Sequence, residues 1–261
     1  MKIIKIESKD NEKIKTLKKL GVKKYRNKLN KFLVENLTIV YDALKNGNQP
    51  ESLFITKSFF DNKSLKMQFI LDNINIESIF LISEEVNKSF SKLKTPSGIV
   101  AIYIKEKEVK LSLDKEILYL NGINNPGNLG TILRSAVAFG INEVVIDESC
   151  ADLYNSKTIQ SAKDAPFKLN IVFDKKQKIL KEINEKMDIF ITAIDGGKDA
   201  SGLFKNKNKF CVVFGSESHG VNEAVRRISN KVVNIRSNSD MESLNVAVSA
   251  GIILYEIYNK R

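Results

Sequence analysis

Three segments of the sequence place polar side chains directly after an apolar run that is typical of a β-strand. The first, NNPGNLGTILRSAVAFG, follows ILYL and holds Asn128 and Arg134. The second, FGSESHG, holds Glu217 between two glycines, and the third, ESLNVAVSAG, holds Ser243 and Asn245. Glycine and asparagine at a strand-to-helix turn suit a phosphate, and the planar fork of an arginine suits an anion. The ends of parallel strands converge, so we expect these residues to share one site.

The glycine-rich turn does not match the standard nucleotide cradles. A dinucleotide site needs G-x-G-x-x-G and a Walker A loop ends in GK[ST], whereas this turn offers only GNLG. No other part of the chain supplies either pattern. This makes a nucleotide-dependent oxidoreductase an unfavourable hypothesis.

Arg134 is predicted to lie off the apolar face of its helix. The apolar stripe of that helix consists of Ile132, Leu133, Ala136 and Val137. At about 100° per residue Arg134 points away from this stripe, and its long side chain can reach back toward Asn128. The residue types alone also allow simpler roles, in which Asn128 or Ser243 caps a helix and Arg134 is solvated.

The second half of the chain alternates between strand and helix patterns. The predicted strands are ILYLN, EVVID, LNIVF, DIFITAI, KFCVVFG and KVVNI. The predicted helices between them cover residues 129–139, 155–163, 175–187, 221–229 and 243–258. This order predicts an α/β fold with a mostly parallel, doubly wound sheet and ligands at the carboxyl ends of the strands.

The first half forms a smaller α/β pattern of its own. A helix is predicted over residues 11–20, with Asp10 as its cap and Gly21 as its stop. A second helix, LTIVYDALKNG, lies among strands FLVEN, SLFIT, SIFLI and GIVAIYI. The charged run KEKEVK then reads as a linker. We therefore expect a domain at residues 1–105, a linker at 106–113 and a second domain at 114–261.

The positive charge of the chain is concentrated at its start. The formal net charge is +11, and residues 1–31 hold twelve Lys or Arg against three Asp or Glu. A basic segment on a near-neutral body favours a polyanionic partner, either a nucleic acid or an anionic membrane surface, although a solvated basic face gives the same count. If the partner is a nucleic acid, the candidate residues for binding it are Lys23, Lys24, Tyr25, Arg26 and Lys28.

The composition is that of an ordinary globular protein, 43% hydrophobic and 28% charged. Its longest apolar run is too short to span a bilayer, and its N-terminus lacks the apolar region of a signal peptide. Cys150 and Cys211 have no metal-binding spacing, and the single histidine, His219, cannot build a metal site by itself. These features predict no membrane partner, no metal and a reducing, cytoplasmic setting.

NPGNLGTILRSAVAFG, GSESHG and ESLNVAVSAGIILYE resemble, in order and spacing, the three motifs of the SpoU/TrmH family of RNA ribose 2′-O-methyltransferases. KYRNKLNKFLVEN and TPSGIVAIY resemble the substrate-binding domain that often precedes the catalytic one. The resemblance implies S-adenosylmethionine as methyl donor, a homodimer, and an RNA substrate, for which we expect ribosomal RNA, with transfer RNA as the alternative. It also implies a deep trefoil knot in the C-terminal domain.

The resemblance assigns residues to the site one by one. The catalytic positions fall on Asn128, Arg134, Glu217, Ser243 and Asn245. The cofactor pocket falls on Gly215, Ile235 and Leu244. The counterpart of Arg134 is often described as the general base, but a guanidinium rarely gives up its proton. Stabilising the developing alkoxide and holding the adjacent phosphate is the role that its chemistry favours.

One loop departs from the family pattern. Where the family reads I-P-M-x-G after the last strand, this chain has Arg236, Ser237 and Ser239 at the Pro, Met and Gly positions. Loss of a loop glycine alters the backbone conformations available to it. Two hypotheses follow: an active methyltransferase, and a catalytically silent RNA-binding protein that keeps the fold.

Overall fold

The computed structural model describes residues 2–62, 64–105, 109–194, 196–205, 209–216, 219–229, 231–236 and 243–259. The chain divides into two compact units. The first contains Met1–Lys107 together with Tyr154–Phe167, and the second contains Glu108–Leu153 and Lys168–Arg261.

The first unit is built on a mixed sheet of five strands. These are β1 (Lys2–Ile6), β2 (Lys31–Val34), β3 (Ser52–Thr56), β4 (Ser78–Ile82) and β5 (Ile99–Ile104), in the spatial order β1-β4-β3-β5-β2. Its helices are α1 (Glu12–Leu20), α2 (Lys23–Leu29), α3 (Leu37–Lys45), α4 (Lys57–Asp61), α5 (Leu65–Asn73) and α6 (Glu84–Lys88). β1, β4 and β3 are parallel, whereas β5 runs antiparallel to both β3 and β2. The two faces of the sheet carry separate apolar clusters, as the two-residue period of a strand requires.

A segment from the second half of the sequence completes the first unit. Helix α8 (Ser156–Ala162) buries Ile159 in the cluster formed by α3, α5 and the sheet. The rings of Tyr154 and Phe167, on either side of this helix, lie 4.6 Å and 5.9 Å from the ring of Phe32. The side-chain amide of Gln160 donates to the carbonyl of Glu35 at 3.1 Å. This arrangement was not predicted, because ring contacts across more than a hundred residues leave no local pattern.

The second unit has a seven-stranded sheet in which every described pairing is parallel. Its strands are β6 (Ile117–Leu120), β7 (Glu143–Asp147), β8 (Asn170–Asp174), β9 (Ile189–Thr192), β10 (Lys198–Asp199), β11 (Cys211–Phe214) and β12 (Lys231–Asn234), in the order β10-β12-β9-β11-β6-β7-β8. Its helices are α7 (Pro126–Ala138), α9 (Lys178–Asn184), α10 (Glu223–Arg226) and α11 (Val246–Asn259). Strands β6, β7 and β11 are buried throughout, which is typical of a parallel sheet covered on both faces.

The predicted α/β fold, with a small α/β unit and a parallel C-terminal sheet, is confirmed. Asp10 was the wrong cap for α1, because the side chain of Asn11 accepts the Lys13 N–H at 2.9 Å. Six elements were missed, namely β1, α2, α4, α5, α6 and β10. Of these, β1 carries Lys at two of its five positions, and the α2 sequence KKYRNKL has no apolar stripe. The trefoil knot and the domain boundaries stay predictions.

The described ranges contain no helix that is long and apolar enough to cross a bilayer. Within the same ranges, no group of three or more His, Cys, Asp or Glu side chains could hold a metal ion. Cys150 and Cys211 are both free and buried.

Lys163, which follows α8, has an unusual backbone conformation for a residue with a side chain. Its φ is +58° and its ψ is −129°, a combination that glycine adopts readily and that Cβ makes costly in other residues. The segment is held in place by the burial of Ile159 and Ala162 on one side and Ala165 on the other. The surrounding packing therefore imposes this conformation on Lys163.

We predict that Lys163→Gly stabilises the protein by about 1 kcal/mol, because it removes the Cβ strain at this position. Urea unfolding followed by circular dichroism gives the comparison. Lys163→Ala is the matched control, since it removes the charge but keeps Cβ, and it should leave the free energy of unfolding nearly unchanged. Equal stabilisation by both variants would mean that the charge, not the backbone, is unfavourable.

Candidate active site

The strand ends predicted to converge lie at one edge of the parallel sheet. β6 leads into the turn before α7, β11 into Gly215, β12 into Ile235 and β9 into Ala193. Because all these strands run in the same direction, their carboxyl ends form a single edge. This is the edge at which open α/β sheets bind their ligands.

A pocket of about 430 Å³ opens at this edge between the ends of β9, β11 and β12 and the start of α11. It brings together four of the predicted residues, Gly215, Ile235, Ser243 and Leu244. Its other lining residues are Thr192, Ala193, Ile194, Phe214, Ser216, His219, Gly220, Arg226, Val233, Asn234, Val246, Ser249 and Ile253. The volume lies within the range of about 300–1,000 Å³ that is usual for small-molecule and cofactor sites.

Gly215 allows a close crossing of two chain segments in the pocket wall. A Cβ at this position would overlap the backbone of Gly220 and Val221. The loop doubles back so that the N–H of Ser216 donates to the carbonyl of Gly220 at 2.9 Å, and the N–H of Gly220 donates to the carbonyl of Ser216 at 2.8 Å. Any larger residue at position 215 would push the segment at Gly220 and Val221 away and change the shape of the pocket.

Asn128 and Asn245 meet although 117 positions separate them. The Asn245 side-chain amide donates to Oδ1 of Asn128 at 3.4 Å. Asn245 also caps α11, since its Oδ1 accepts the N–H of Ala247 at 2.9 Å. The cap of α7 is Asn125, whose Oδ1 accepts the Gly127 N–H at 2.8 Å, so Asn128 lies inside the first turn and the simple capping role does not apply to it.

Arg134 is exposed on the face of α7 opposite the buried residues Ile132, Leu133 and Ala136, as its position in the sequence predicts. Its side chain forms no hydrogen bond or ion pair with any residue of the described ranges, so its guanidinium is available to a ligand.

Glu217 lies outside the described residues, as do Ser237 and Ser239 of the altered loop.

A buried polar group supports the loops of this edge. Asn121, directly after β6, donates its side-chain amide to Asp147 at the end of β7 and accepts the N–H of Asn222 at 2.8 Å. Asp147 also accepts the N–H of Gly122 at 3.2 Å and the hydroxyl of Ser149 at 2.7 Å. Sequence reasoning missed this network, and the Asn and Asp that end their strands were the available signal.

The cysteine beside this network is not a nucleophile. Burial and, to a smaller extent, the nearby Asp147 carboxylate together raise the pKa of the Cys150 thiol to about 12. Its Sγ donates to the carbonyl of Leu120 at 3.2 Å and accepts the N–H of Ile123 at 3.3 Å. The neutral thiol therefore helps to hold the turn between β6 and α7.

The predicted RNA-binding residues fall on α2, where they separate into two groups. Lys23, Lys24 and Lys28 are exposed, and Tyr25 is partly exposed. Arg26 is instead buried, and its guanidinium donates to the carbonyl of Leu20 at 2.9 Å. The prediction that Arg26 presents its charge to RNA is therefore at odds with the structure, because its fork of donors is used to fix the end of α1.

His219, for which the sequence suggested no role, lines the pocket together with Arg226 and Asn234. Its backbone N–H donates to the hydroxyl of Ser216 at 3.2 Å, which positions it on the loop that crosses at Gly215. Thr192, Ala193 and Ile194 were also missed as pocket residues. Their only sequence signal was their position at the end of a predicted strand.

The protein has an α/β fold in which the three motif segments lie at the carboxyl edge of one parallel sheet. Comparison with known sequences assigns the same family that these motifs indicated. The SpoU rRNA methylase family matches residues 115–255, and the MRM3-like substrate binding domain matches residues 11–101. The chain belongs to the SpoU rRNA methylase family. The family resemblance stated from the motifs is confirmed.

Individual relatives extend over nearly the whole chain. The chain is 30% identical over 253 residues to 23S rRNA (guanosine(2553)-2′-O)-methyltransferase RlmP of Bacillus subtilis (strain 168), covering 97% of this chain and 98% of that protein. A crystal structure of an RNA 2′-O ribose methyltransferase is 27% identical, with a TM-score of 0.82 and 99% coverage of both chains. The SpoU methyltransferase AviRb from Streptomyces viridochromogenes, crystallised in complex with the cofactor AdoMet, is 22% identical and shares the fold with a TM-score of 0.84 over 96% of this chain and 98% of that one.

Proposed function

We propose that the protein transfers a methyl group from S-adenosylmethionine to a ribose 2′-hydroxyl of ribosomal RNA. One observation carries this proposal. Ser243 and Leu244 line the pocket, and the next residue, Asn245, contacts Asn128 at the start of the helix that bears Arg134. Three consecutive residues thus connect a cofactor-sized pocket to the side chains suited to hold a ribose and its phosphate.

The residues of the pocket fit S-adenosylmethionine. The side chains of Ile194 and Leu244 are partly exposed at the pocket and offer apolar surface to an adenine ring. Thr192, Ser216, Asn234 and Ser249 supply polar groups around this surface. When bound, the sulfonium of the cofactor supplies an electrophilic methyl group. The likeness to AviRb, which is crystallised with AdoMet, supports the same cofactor here.

Arg134 contributes a fixed positive charge to the reaction. Its guanidinium has five N–H donors and no acceptor, and it stays protonated near neutral pH. It stabilises the negative charge that develops on the 2′-oxygen as the proton leaves, and it holds the adjacent phosphate in a bidentate contact. By the family resemblance, Asn128 and Ser243 would orient this fork when RNA is bound, and Asn245 contacts Asn128 through their hydrogen bond.

The named relative supports ribosomal RNA as the substrate. RlmP of Bacillus subtilis is named for guanosine 2553 of 23S rRNA, and the likeness covers nearly the full length of both proteins. Mapping of ribose methylation in rRNA from cells with and without this gene should reveal one 2′-O-methyl group that depends on the protein.

Titration calorimetry with S-adenosylmethionine separates an enzyme from the silent RNA-binding alternative. That alternative predicts no binding of the cofactor by the folded protein at millimolar concentration.

We predict that Arg134→Lys retains cofactor binding and loses at least 90% of methyl transfer, about tenfold, because a lysine keeps the charge but loses the bidentate fork. Transfer of a radiolabelled methyl group to rRNA measures turnover, and calorimetry measures cofactor binding. Arg227→Lys is the matched control, since Arg227 is an exposed arginine outside this pocket. Near-normal turnover of Arg134→Lys would show that fork geometry is not needed.

We propose that α2 supplies much of the affinity for RNA. Lys23, Lys24 and Lys28 are exposed on this short helix, and Tyr25 lies among them with part of its ring accessible. The lysines suit contacts to phosphates, and the ring suits stacking with an unpaired base. The match of residues 11–101 to a substrate binding domain supports this location.

We predict that reversing Lys23, Lys24 and Lys28 to Glu reduces the slope of log affinity against log salt by about two, since each phosphate contact contributes roughly 0.7–0.9. Filter binding to rRNA fragments between low and moderate salt measures the slope. Tyr25→Ala should weaken binding by about 1–3 kcal/mol with the slope unchanged. Reversal of Lys178, Lys181 and Lys186, which are exposed on and beside α9, is the matched control.

A slope that survives the α2 reversals would exclude this helix as the RNA contact. The membrane alternative predicts a different outcome, in which the same reversals abolish binding to anionic vesicles and leave RNA binding intact.

We propose that the protein is a homodimer that pairs through α11. One face of this helix is buried in the second unit by Val246, Ala250, Ile253, Leu254 and Ile257. The opposite face exposes a stripe of apolar residues at helical spacing, namely Val248, Ile252, Tyr255 and Tyr258. A second copy of this chain presents the same stripe, and isologous pairing would cover both.

We predict that Val248→Asp or Ile252→Asp converts the dimer to monomer, because each would bury two carboxylates at the interface, one from each copy. Size-exclusion chromatography with light scattering measures the mass. Leu65→Glu is the matched control, since Leu65 is 90% exposed but lies in the first unit. If the protein without substitutions is a monomer and is active at the concentration of the assay, the proposal is contradicted.

We also propose that the protein works in the cytoplasm, where bacterial ribosomal RNA is assembled into ribosomes. The two free, buried cysteines are compatible with this reducing compartment.

A further inference from the structure

The charges that line the pocket are few. Among its described lining residues, Arg226 is the only side chain with a permanent charge, and His219 is the only other one that can ionise. The remaining lining residues are apolar, glycine, hydroxyl or amide residues. One fixed cation among described lining residues that are otherwise uncharged favours a ligand that carries an anion.

The position of Arg226 is fixed by the elements below it. It is the last residue of α10, a helix capped by Asn222, and the backbone of Asn222 is held by the buried Asn121 at 2.8 Å. The preceding residue, Val225, is fully buried in the core between α9 and the sheet. These contacts anchor α10 and hold the backbone of Arg226 beside the pocket.

Arg226 and its neighbour Arg227 differ in their surroundings. Arg227 donates from Nε to Glu223 at 3.1 Å and lines a separate cavity with Asn184, Asp188 and Lys231. The side chain of Arg226 has no ion pair or hydrogen bond within the described part of the chain. In a chain with 36 lysines and only six arginines, an arginine on the pocket wall without a described side-chain partner indicates a use for its planar fork.

The chemistry of the proposed cofactor identifies the group that Arg226 binds. S-adenosylmethionine carries a sulfonium, an ammonium and one carboxylate, and a guanidinium attracts only the last of these. We propose that Arg226 is a cofactor-binding residue that holds the α-carboxylate of the amino-acid part of S-adenosylmethionine through a bidentate contact. This inference rests on the proposed function, and it adds the residue that binds the amino-acid end of the cofactor.

The contact has a consequence for specificity. Because the carboxylate is present both in the methyl donor and in the product S-adenosylhomocysteine, Arg226 stabilises both and does not distinguish them. It does distinguish both from adenosine derivatives that lack the carboxylate. The residue thus selects the class of ligand and leaves the discrimination of donor from product to the groups around the sulfur.

The experiment removes the charge from each side of the contact in turn. Calorimetry compares the unaltered full-length protein with Arg226→Gln, using S-adenosylmethionine and decarboxylated S-adenosylmethionine, which lacks only the carboxylate. We expect Arg226→Gln to weaken S-adenosylmethionine binding about tenfold, as a solvent-exposed charge-assisted pair allows, and to change binding of the decarboxylated compound less than about twofold. Arg226→Lys should give an intermediate loss. Arg227→Gln is the matched control and should change neither affinity.

The outcomes separate this inference from the proposed function. Failure of the unaltered protein to bind S-adenosylmethionine would overturn both. Tight binding that is unchanged in Arg226→Gln, or an equal loss for both compounds, would overturn the role of Arg226 alone. Unchanged cofactor affinity with weaker binding to rRNA would assign Arg226 to an RNA phosphate and also overturn the inference. Circular dichroism and thermal unfolding of Arg226→Gln verify that this exposed substitution leaves the fold intact.

Discussion

The buried side chain of Asn121 joins the loops on which the site depends. It reaches Asp147 at the end of β7 and the backbone of Asn222 before α10, so one amide connects three segments of the sheet edge. A buried amide or carboxylate is costly unless it is hydrogen-bonded, and here each group satisfies another. The turn before α7, the loop after β7 and the start of α10 are consequently held in one arrangement. Arg134 and Arg226 both derive their positions from elements that begin at this network.

The local pattern of the sequence was sufficient for most strands and for the convergence of their ends. Gly215, Ile235, Ser243 and Leu244 meet at one pocket because parallel strands share a carboxyl edge, a rule that needs only the order of elements. The exposure of Arg134 followed in the same way from helical periodicity. The Asn and Asp that end their strands gave only a weak signal for the Asn121 network, since its partners are 26 and 101 positions away and no periodic pattern connects them.

Composition predicted a basic segment but not the direction of each side chain in it. Arg26 stands among exposed lysines in the sequence, and only the packing of α2 against α1 shows that its guanidinium is buried on the Leu20 carbonyl. The same limit applies to Arg226, which the sequence identifies only as one rare arginine beside another. Its difference from Arg227 depends on which cavity each one faces, and this is a property of the tertiary fold.

The membership of Tyr154–Phe167 in the first unit bears on the order in which the protein can fold during synthesis. Phe32 and Tyr103 pack against Phe167, which the ribosome adds more than sixty residues after the last strand of that unit. Domains generally fold in sequence from the N-terminus as they emerge. Here the first unit waits for β6, α7 and β7 of the second unit to be translated before its aromatic cluster is complete. The apolar surface around Phe32 and Tyr103 therefore stays incompletely covered in the nascent chain until Phe167 has been translated. A chain that is cut between the two family-matched regions would leave this surface exposed permanently.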